Sequence, residues 1–297
     1  MKNKRKLTPW LYSMPALILI GMVIVFPIIY TGYISLTNMN LFHWSNYEFI
    51  GLSNYSRALL KADSGFLGAL FTTLLWTTLN MVIQVVVAYF IALGFQREDL
   101  KGKRVYKTLL MFPWAMPAYV SILLWRVGIY NTEFGLLNKI LVALGFGKVN
   151  FLSTNVPAFL SCMTLNLWMA LPFMIMMIDG ALSSIDRSYY ESAELDGAGF
   201  WSKNIHITVP AMKEIIAPAV IMTTFTTFKQ FDIVYLLTMQ KGAYSGATLQ
   251  TIITYAQQNA FVSNNYGLSS AVSIIIFFLI MVFSLFTNRG VKEENYD

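Results

Sequence analysis

Six stretches of this chain run for about 20 residues or more with few or no charges, and nothing else limits its possible folds so tightly. They are residues 10–36, 68–95, 108–130, 156–178, 215–237 and 268–287. A helix needs about 20 apolar residues to cross the roughly 30 Å of hydrocarbon in a bilayer. In lipid every backbone N–H and C=O must find its partner within the protein, which an α-helix arranges by itself. The composition agrees. Only 12% of residues are charged and 56% are hydrophobic, whereas a soluble domain carries about 25% charged residues. The predicted fold is therefore an all-α integral membrane protein with six transmembrane helices. A tail of residues 1–9 precedes a membrane domain over 10–288, and a second tail covers 289–297. Pro15 and Pro27 in the first span are tolerated as kinks. That span is too long for a secretory leader and has no small-residue cleavage site.

Several function classes drop out. The net charge of +6 does not indicate nucleic acid, because the basic residues flank the apolar runs and form no patch of their own. The single cysteine, Cys162, lies within an apolar run and reads as a small buried hydrophobe. His43 and His206 fall in different loops, so no metal-ligand cluster forms. A phosphate-cradling G-x-x-x-x-G-K-[ST] loop is absent, as are the H-E-x-x-H and G-x-S-x-G patterns. The chain is not expected to be an enzyme or to bind a cofactor.

Six spans put both termini on one side. That side carries Lys2, Lys4, Arg5, Lys6, Arg97, Lys101, Lys103, Arg104, Lys107, Arg187, Lys203, Lys213, Arg289 and Lys292. The other side carries only Arg57, Lys61, Lys139, Lys148 and Lys241. The positive-inside rule makes the richer side, and both termini, cytoplasmic. Arg126, near the outer end of the third span, is expected to snorkel to the interface.

One loop on the cytoplasmic side does not read like the rest. Residues 190–210 carry Glu191, Glu194, Asp196 and Lys203 between two apolar spans. Ser188 and Glu191 have capping-box spacing, and Asp196-Gly197 reads as a helix stop. A second short helix is predicted to end before Pro210, since the residue before proline avoids the α region. Three acidic residues in six positions argue against an amphipathic helix lying on an anionic leaflet. Such a compact, capped element suits contact with a partner.

The polar residues inside the spans are the remaining candidates. Asn80 and Gln84, four apart, share a helical face; either a helix–helix hydrogen bond or a cavity lining accounts for them. Asn166 lies in the fourth span. In the fifth, Phe228-Lys229-Gln230-Phe231-Asp232 places two charges in hydrocarbon, at about 2.5–3.5 kcal/mol each on insertion scales. Lys229 and Asp232 are three apart and can pair. They line a translocation path or form a structural pair near the outer interface.

The loop resembles a known motif. Glu191-Ser192-Ala193, Asp196-Gly197-Ala198 and Ile207-Thr208-Val209-Pro210 are similar to the E-A-A, G and I-x-L-P pattern of ABC-importer permeases, with Ser192 and Val209 as small departures. The Asp196-Gly197-Ala198 form resembles the sugar-importing, maltose-transporter-like branch. Phe49-Ile50-Gly51-Leu52-Ser53-Asn54-Tyr55, Pro113 to Pro117, Trp125, Gly135 with Asn138, Phe231-Asp232, Leu237-Thr238, Ala247-Thr248-Leu249, Phe261, Gly267 and Ala271 resemble that branch in order along nearly the whole chain. Met239-Gln240-Lys241-Gly242 stands where the family often has a G-G-P turn.

The resemblance implies a type I ABC-importer permease in the cell membrane. Its loop, residues 180–213, would dock on an ATPase through Glu191, Ala193, Leu195, Asp196, Gly197, Ala198, Ile207 and Pro210. The path would be lined by Asn80, Gln84, Asn166, Lys229, Gln230 and Asp232. The implied partners are a second, homologous permease subunit, two ATP-binding subunits that hold ATP and Mg, and an extracytoplasmic sugar-binding protein. The alternative is an ion-coupled secondary transporter or channel that uses Lys229 and Asp232.

Overall fold

The computed structural model describes residues 2–61, 65–97, 99–239 and 249–293. Regular structure among them is helical, apart from one isolated antiparallel bridge between Thr37 and Phe49. Among the described residues, five helices are long and apolar enough to cross a membrane: Tyr12–Ser35, Phe66–Gln96, Asn155–Ser183, Phe200–Thr238 and Tyr266–Leu285. A sixth span exists if a pair of helices, Lys103–Ala115 and Ala118–Ile129, counts as one. That pair corrects the simple third span read from the sequence, because its arms meet at 92°. The break is at Met116, which is extended (φ −75°, ψ 141°). Proline at 117 disfavours the α region for the residue before it, and here the helix stops there.

The chain divides into two compact units, residues 1–69 with 252–283 and residues 70–251 with 284–297. In the first, α1 (Lys2–Ile20) passes through a π turn at Gly21–Val25 into α2 (Phe26–Ser35). A proline inside a helix cannot bond the carbonyl four residues back, and its ring crowds that carbonyl. Here the π turn widens the helix just before Pro27, so Pro27 becomes the second residue of a fresh α segment, and the kink expected at this proline takes this form. Helix α3 (Ser53–Leu60) carries Asn54, whose amide closes the end of α2 by donating to the carbonyls of Ser35 (2.9 Å) and Thr37 (2.8 Å). Tyr55 shares a hydrogen bond with the Ser35 hydroxyl at 2.7 Å. Helix α14 (Ile252–Phe261) and the part of α15 (Tyr266–Glu293) up to residue 283 complete this unit. A Cβ on Gly267 would stand 2.3 Å from the Thr37 carbonyl oxygen, so no other residue fits between α15 and the end of α2.

The second unit holds the rest of α4 (Phe66–Gln96), then α5 (Lys103–Leu110), α6 (Phe112–Ala115), α7 (Ala118–Leu124) with a π turn at Trp125–Ile129, α8 (Leu136–Ala143) and α9 (Asn155–Ser183). Next come α10 (Arg187–Leu195), α11 (Phe200–Lys203), a π turn at Asn204–Thr208, α12 (Val209–Phe228), α13 (Asp232–Val234) and a π turn at Tyr235–Met239. Its core is two apolar clusters. One is built on Trp76, Ile122, Leu165, Ile233, Val234 and Leu237. The other is built on Met81, Ala88, Met174, Ile175, Ile178, Met212 and Ile216. On α9 the buried members of the first cluster end at Leu165 and those of the second begin at Met174; on the fifth span those of the first begin at Ile233 and those of the second end at Ile216. Arg126, read from the sequence as a snorkelling side chain, is half-buried. It donates from Nη1 to the Leu236 carbonyl at 3.1 Å, on the π turn at Tyr235–Met239.

Candidate functional site

The polar loop folds as a braced hairpin. Helix α10 is capped by Asp186, whose side chain accepts from the Ser188 N–H at 2.9 Å. This corrects the Ser188–Glu191 capping box, because the cap falls two residues earlier and Glu191 stands exposed in mid-helix. The N–H bond it accepts holds the Asp186 carboxyl below the usual carboxylate range. The helix ends as the sequence predicted. Gly197 takes φ +77°, its N–H bonds the Glu194 carbonyl at 3.0 Å, and the Ala198 N–H bonds the Ala193 carbonyl at 2.9 Å. These two bonds make a complete Schellman cap.

The second arm does not stop at Pro210. Asn204–Thr208 is a π turn, closed by the Val209 N–H on the Asn204 carbonyl, and Pro210 is the second residue of α12. The device is the one seen before Pro27, and it lets Val209 stay helical (φ −65°, ψ −46°). Residues 200–228 are therefore one helical rod of roughly 43 Å at 1.5 Å per residue.

Three side-chain contacts brace the hairpin. Lys203 pairs with Glu194 at 2.6 Å, and the bond holds the Glu194 carboxyl below its usual range. The Tyr190 hydroxyl meets the Thr208 hydroxyl at 3.0 Å. Tyr89 of α4 donates to Asn204, tying the hairpin to the second span. Outward, the hairpin presents apolar groups that no other described residue covers. Leu195 is 92% exposed, and Tyr189, Phe200, Trp201 and Ile205 are also exposed. Glu191, Asp196, Gly197 and Pro210 are exposed around them, while Ala193, Ala198 and Ile207 are half-buried.

The second feature is a cavity of about 740 Å³ in the 70–251 unit. The break in the fifth span forms one wall. Helical bonding lapses at Lys229–Phe231, although both arms remain within one candidate span. Lys229, Gln230, Phe231 and Asp232 all face the cavity, as do Thr223, Thr226 and Thr227 on the turns before. Trp114 at the α6 bend stacks on Phe173 of α9 (5.9 Å, 16°) to form an aromatic wall.

Gln84 and Asn166 supply amides. Gln84 donates to the Ala170 carbonyl at 2.9 Å, and its buried Oε1 has no partner among the described residues. Asn166 donates to Asn80 Oδ1 at 2.7 Å. Asn80 is fully buried, donates to the Trp76 carbonyl at 2.8 Å and stays out of the cavity, so of its two sequence readings the hydrogen bond between helices is the one found. The predicted pairing of Lys229 with Asp232 is not found. Both side chains are exposed, the helix is interrupted between them, and among the described residues no ion pair joins them. The Gln240–Gly242 turn, Lys241 and Ala247-Thr248 lie outside the described residues.

One cluster was not singled out from the sequence. Asp179, on the last turns of α9, pairs with Lys107 of α5, and its side chain is only 7% exposed. Gln96, the last residue of α4, donates to Asp179 Oδ1 (3.0 Å) and to the Ser183 hydroxyl (3.0 Å). Lys107 also stands 5.6 Å from the centre of the Phe95 ring. The available signal was a carboxylate directly after the apolar run that ends at Ile178.

Residues 84–291 match the family described as the binding-protein-dependent transport system inner membrane component. A trehalose/maltose transport system permease protein of Thermococcus litoralis is 31% identical over 285 residues, covering 96% of this chain and 94% of that one. A galactooligosaccharides transport system permease protein of Bacillus subtilis is 28% identical and covers 96% of this chain and 70% of its own. Among solved structures, a chain of a bacterial ABC transporter involved in import of the acidic polysaccharide alginate superposes with a TM-score of 0.80 over 99% of both chains, at 20% identity. That likeness concerns the fold. On the family match and the Thermococcus relative, the chain belongs to the inner-membrane permeases of binding-protein-dependent ABC importers.

Proposed function

We propose that this chain is one permease subunit of an ATP-driven importer for a carbohydrate of one or a few sugar units, and that it supplies half of the translocation pathway. The observation that carries the reading is the rod over residues 200–228, which begins in the surface hairpin and ends at the cavity. A displacement of the hairpin is delivered along one helix to the break at Lys229–Phe231, where the backbone can yield. The hairpin is suited to receive such a displacement, since its cap and three side-chain contacts make it stiff. Its exposed Tyr189 and Trp201 are large aromatic groups of the kind that anchor interfaces.

The cavity chemistry supports a sugar. Trp114, Phe173 and Phe231 offer flat apolar faces. Gln84, Asn166, Gln230 and the threonines of α12 offer donors and acceptors for hydroxyls. The apolar clusters on either side are suited to part in turn, which is what alternating access requires. In this reading a binding protein delivers the sugar from outside, and a second, homologous permease supplies the other half of the path. Two ATP-binding subunits, carrying ATP and Mg, dock on the hairpins from the cytoplasm, with both termini of this chain on that side. The ion-coupled alternative loses its basis, because Lys229 and Asp232 do not form the pair it relied on.

The test is to purify the tagged chain gently from its native membrane and identify its companions by mass. Glu191→Lys and Leu195→Asp variants are then assayed for ATP-driven uptake. A stoichiometric ATPase and a related permease are expected, with uptake lost in both variants while the complex still inserts. A chain that arrives alone and transports without ATP would overturn the reading.

A further inference from the structure

A second hollow, of about 430 Å³, opens beside α5. Its rim is Lys103, Arg104, Lys107 and Thr108, and its floor is Met111 and Met176. On a helix, residues 103 and 107 lie one above the other, as do 104 and 108, so three cations and a hydroxyl are gathered on one flank. Asp179 answers the charge of Lys107. Lys103 and Arg104 form no ion pair among the described residues, and nearby Asp99 is engaged by Arg97 at 2.7 Å. The hollow thus holds an excess of positive charge above an apolar floor. The remaining positions of α5 are apolar; Leu110 packs toward the core, while Val105, Tyr106 and Leu109 are all more than half exposed. A short helix with a basic flank and an apolar flank, placed where a span begins, is built for the headgroup layer of a membrane.

We infer that this hollow is a binding site for the phosphate of an anionic phospholipid. Arg104 and Lys103 meet the phosphodiester, Arg with a donor fork that fits two of its oxygens. The Thr108 hydroxyl donates to the Arg104 carbonyl at 2.9 Å and adds no donor, and the methionines receive the first apolar part of the lipid. The methionine floor separates this occupant from a free phosphate, which would gain nothing from thioether walls. The assignment needs only that the chain lies in a membrane, so it stands apart from the sugar reading.

The experiment uses the transporter as it comes from its membrane, with whatever subunits accompany it. Phosphatidylglycerol, phosphatidylcholine and inorganic phosphate are added separately, and retained adducts are read by native mass spectrometry. Each basic residue near an anionic lipid surface contributes enough that losing two should weaken retention about thirty-fold. The Lys103→Gln/Arg104→Gln variant is therefore expected to lose one phosphatidylglycerol adduct by about that factor. A Lys103→Arg/Arg104→Lys variant is expected to keep it, and phosphatidylcholine should bind the wild type no better than it binds the Gln variant. If the double Gln variant does not fold, Arg104→Gln alone decides, at about five-fold. Equal phosphatidylglycerol retention in wild type and variant overturns the site. Displacement of the lipid by inorganic phosphate reassigns the hollow to a soluble anion and overturns the lipid. Loss of a companion subunit with lipid retention unchanged makes the hollow a protein contact and equally overturns it.

Discussion

Gly197 allows the hairpin to be perturbed with a cost that can be worked out beforehand. Its φ of +77° lies in the left-handed region, and a Cβ placed on it would meet nothing within 4 Å. A side chain there costs nothing in crowding, so the whole penalty is conformational. For an L-residue that penalty is about 1–2 kcal/mol. Alanine also restricts the unfolded hairpin, which returns about 0.4–1 kcal/mol. The net for Gly197→Ala is about 1 kcal/mol, or roughly five-fold in the ratio of closed to frayed cap. Asparagine enters the left-handed region more readily and should cost less, whereas β-branched valine should cost more. The assay is hydrogen exchange of the peptide covering residues 187–198 in the purified transporter, where the Gly197 and Ala198 N–H groups are held by the Glu194 and Ala193 carbonyls. Exchange is expected to rise in the order Gly, Asn, Ala, Val, with ATP-driven uptake falling in the same order. Unchanged protection in Gly197→Ala, or a valine variant no worse than alanine, would refute the claim that the left-handed cap closes α10.

Two further outcomes follow from the ion pairs. Asp179→Asn strands a Lys107 side chain that is only 28% exposed, and breaking such a pair costs about 3–5 kcal/mol; the lower end applies because Lys107 partly reaches water. Thermal inactivation should therefore come well below that of the wild type, and Lys107→Met with Asp179→Leu should recover most of the loss; a double variant as weak as the single one would contradict this. The Glu194–Lys203 bond behaves differently with pH. A carboxyl held below its usual range contributes fully above the ordinary carboxylate pKa and loses its contribution as pH falls through the lowered value. The uptake defect of Lys203→Gln should thus be the same at about pH 8 and about pH 6, and a defect that vanished between them would sink the assignment.

Span count and order were legible because lipid imposes one local rule, a long uncharged run, and each run carries that information alone. Proline effects were legible in part. Pro117 disfavours the helical region for Met116, but the 92° bend depends on what the arms pack against, here Trp114 on Phe173. Pro27 and Pro210 were read as a kink and a stop, and both are accommodated by a π turn just upstream. The single-residue rule is correct about the lost hydrogen bond. It is silent on whether the preceding turn can widen to make room, which is decided by packing and not by residue type. The same applies at Ser188, where capping-box spacing was present but Asp186 lay closer to the first helical N–H and took the position.

The functional residues divide along the same line. The hairpin could be found because its chemistry is contiguous, with cap, stop and charges within some 20 residues. The cavity could be found only in pieces, because its wall draws on four distant stretches and periodicity assigns a residue to a face without naming the face opposite. Asn80 and Gln84 share one helical face, yet Asn80 is spent on Asn166 and Trp76 while Gln84 reaches the cavity. Asp179 is the sharpest case. In sequence it is one carboxylate after an apolar run, and Lys107 is one of many cations that positive-inside counting explains without a partner. Burial is what makes them a pair. A carboxylate 7% exposed at the end of a span must be answered by a cation and by donors such as Gln96. The constraint therefore holds the end of α4, the last turn of α5 and the end of α9 together, close to the helix that enters the hairpin. If the hairpin moves with the ATPase, this ion pair is among the contacts that must either travel with it as a unit or break, and the Lys107→Met/Asp179→Leu variant, stable but uncharged, distinguishes the two through uptake.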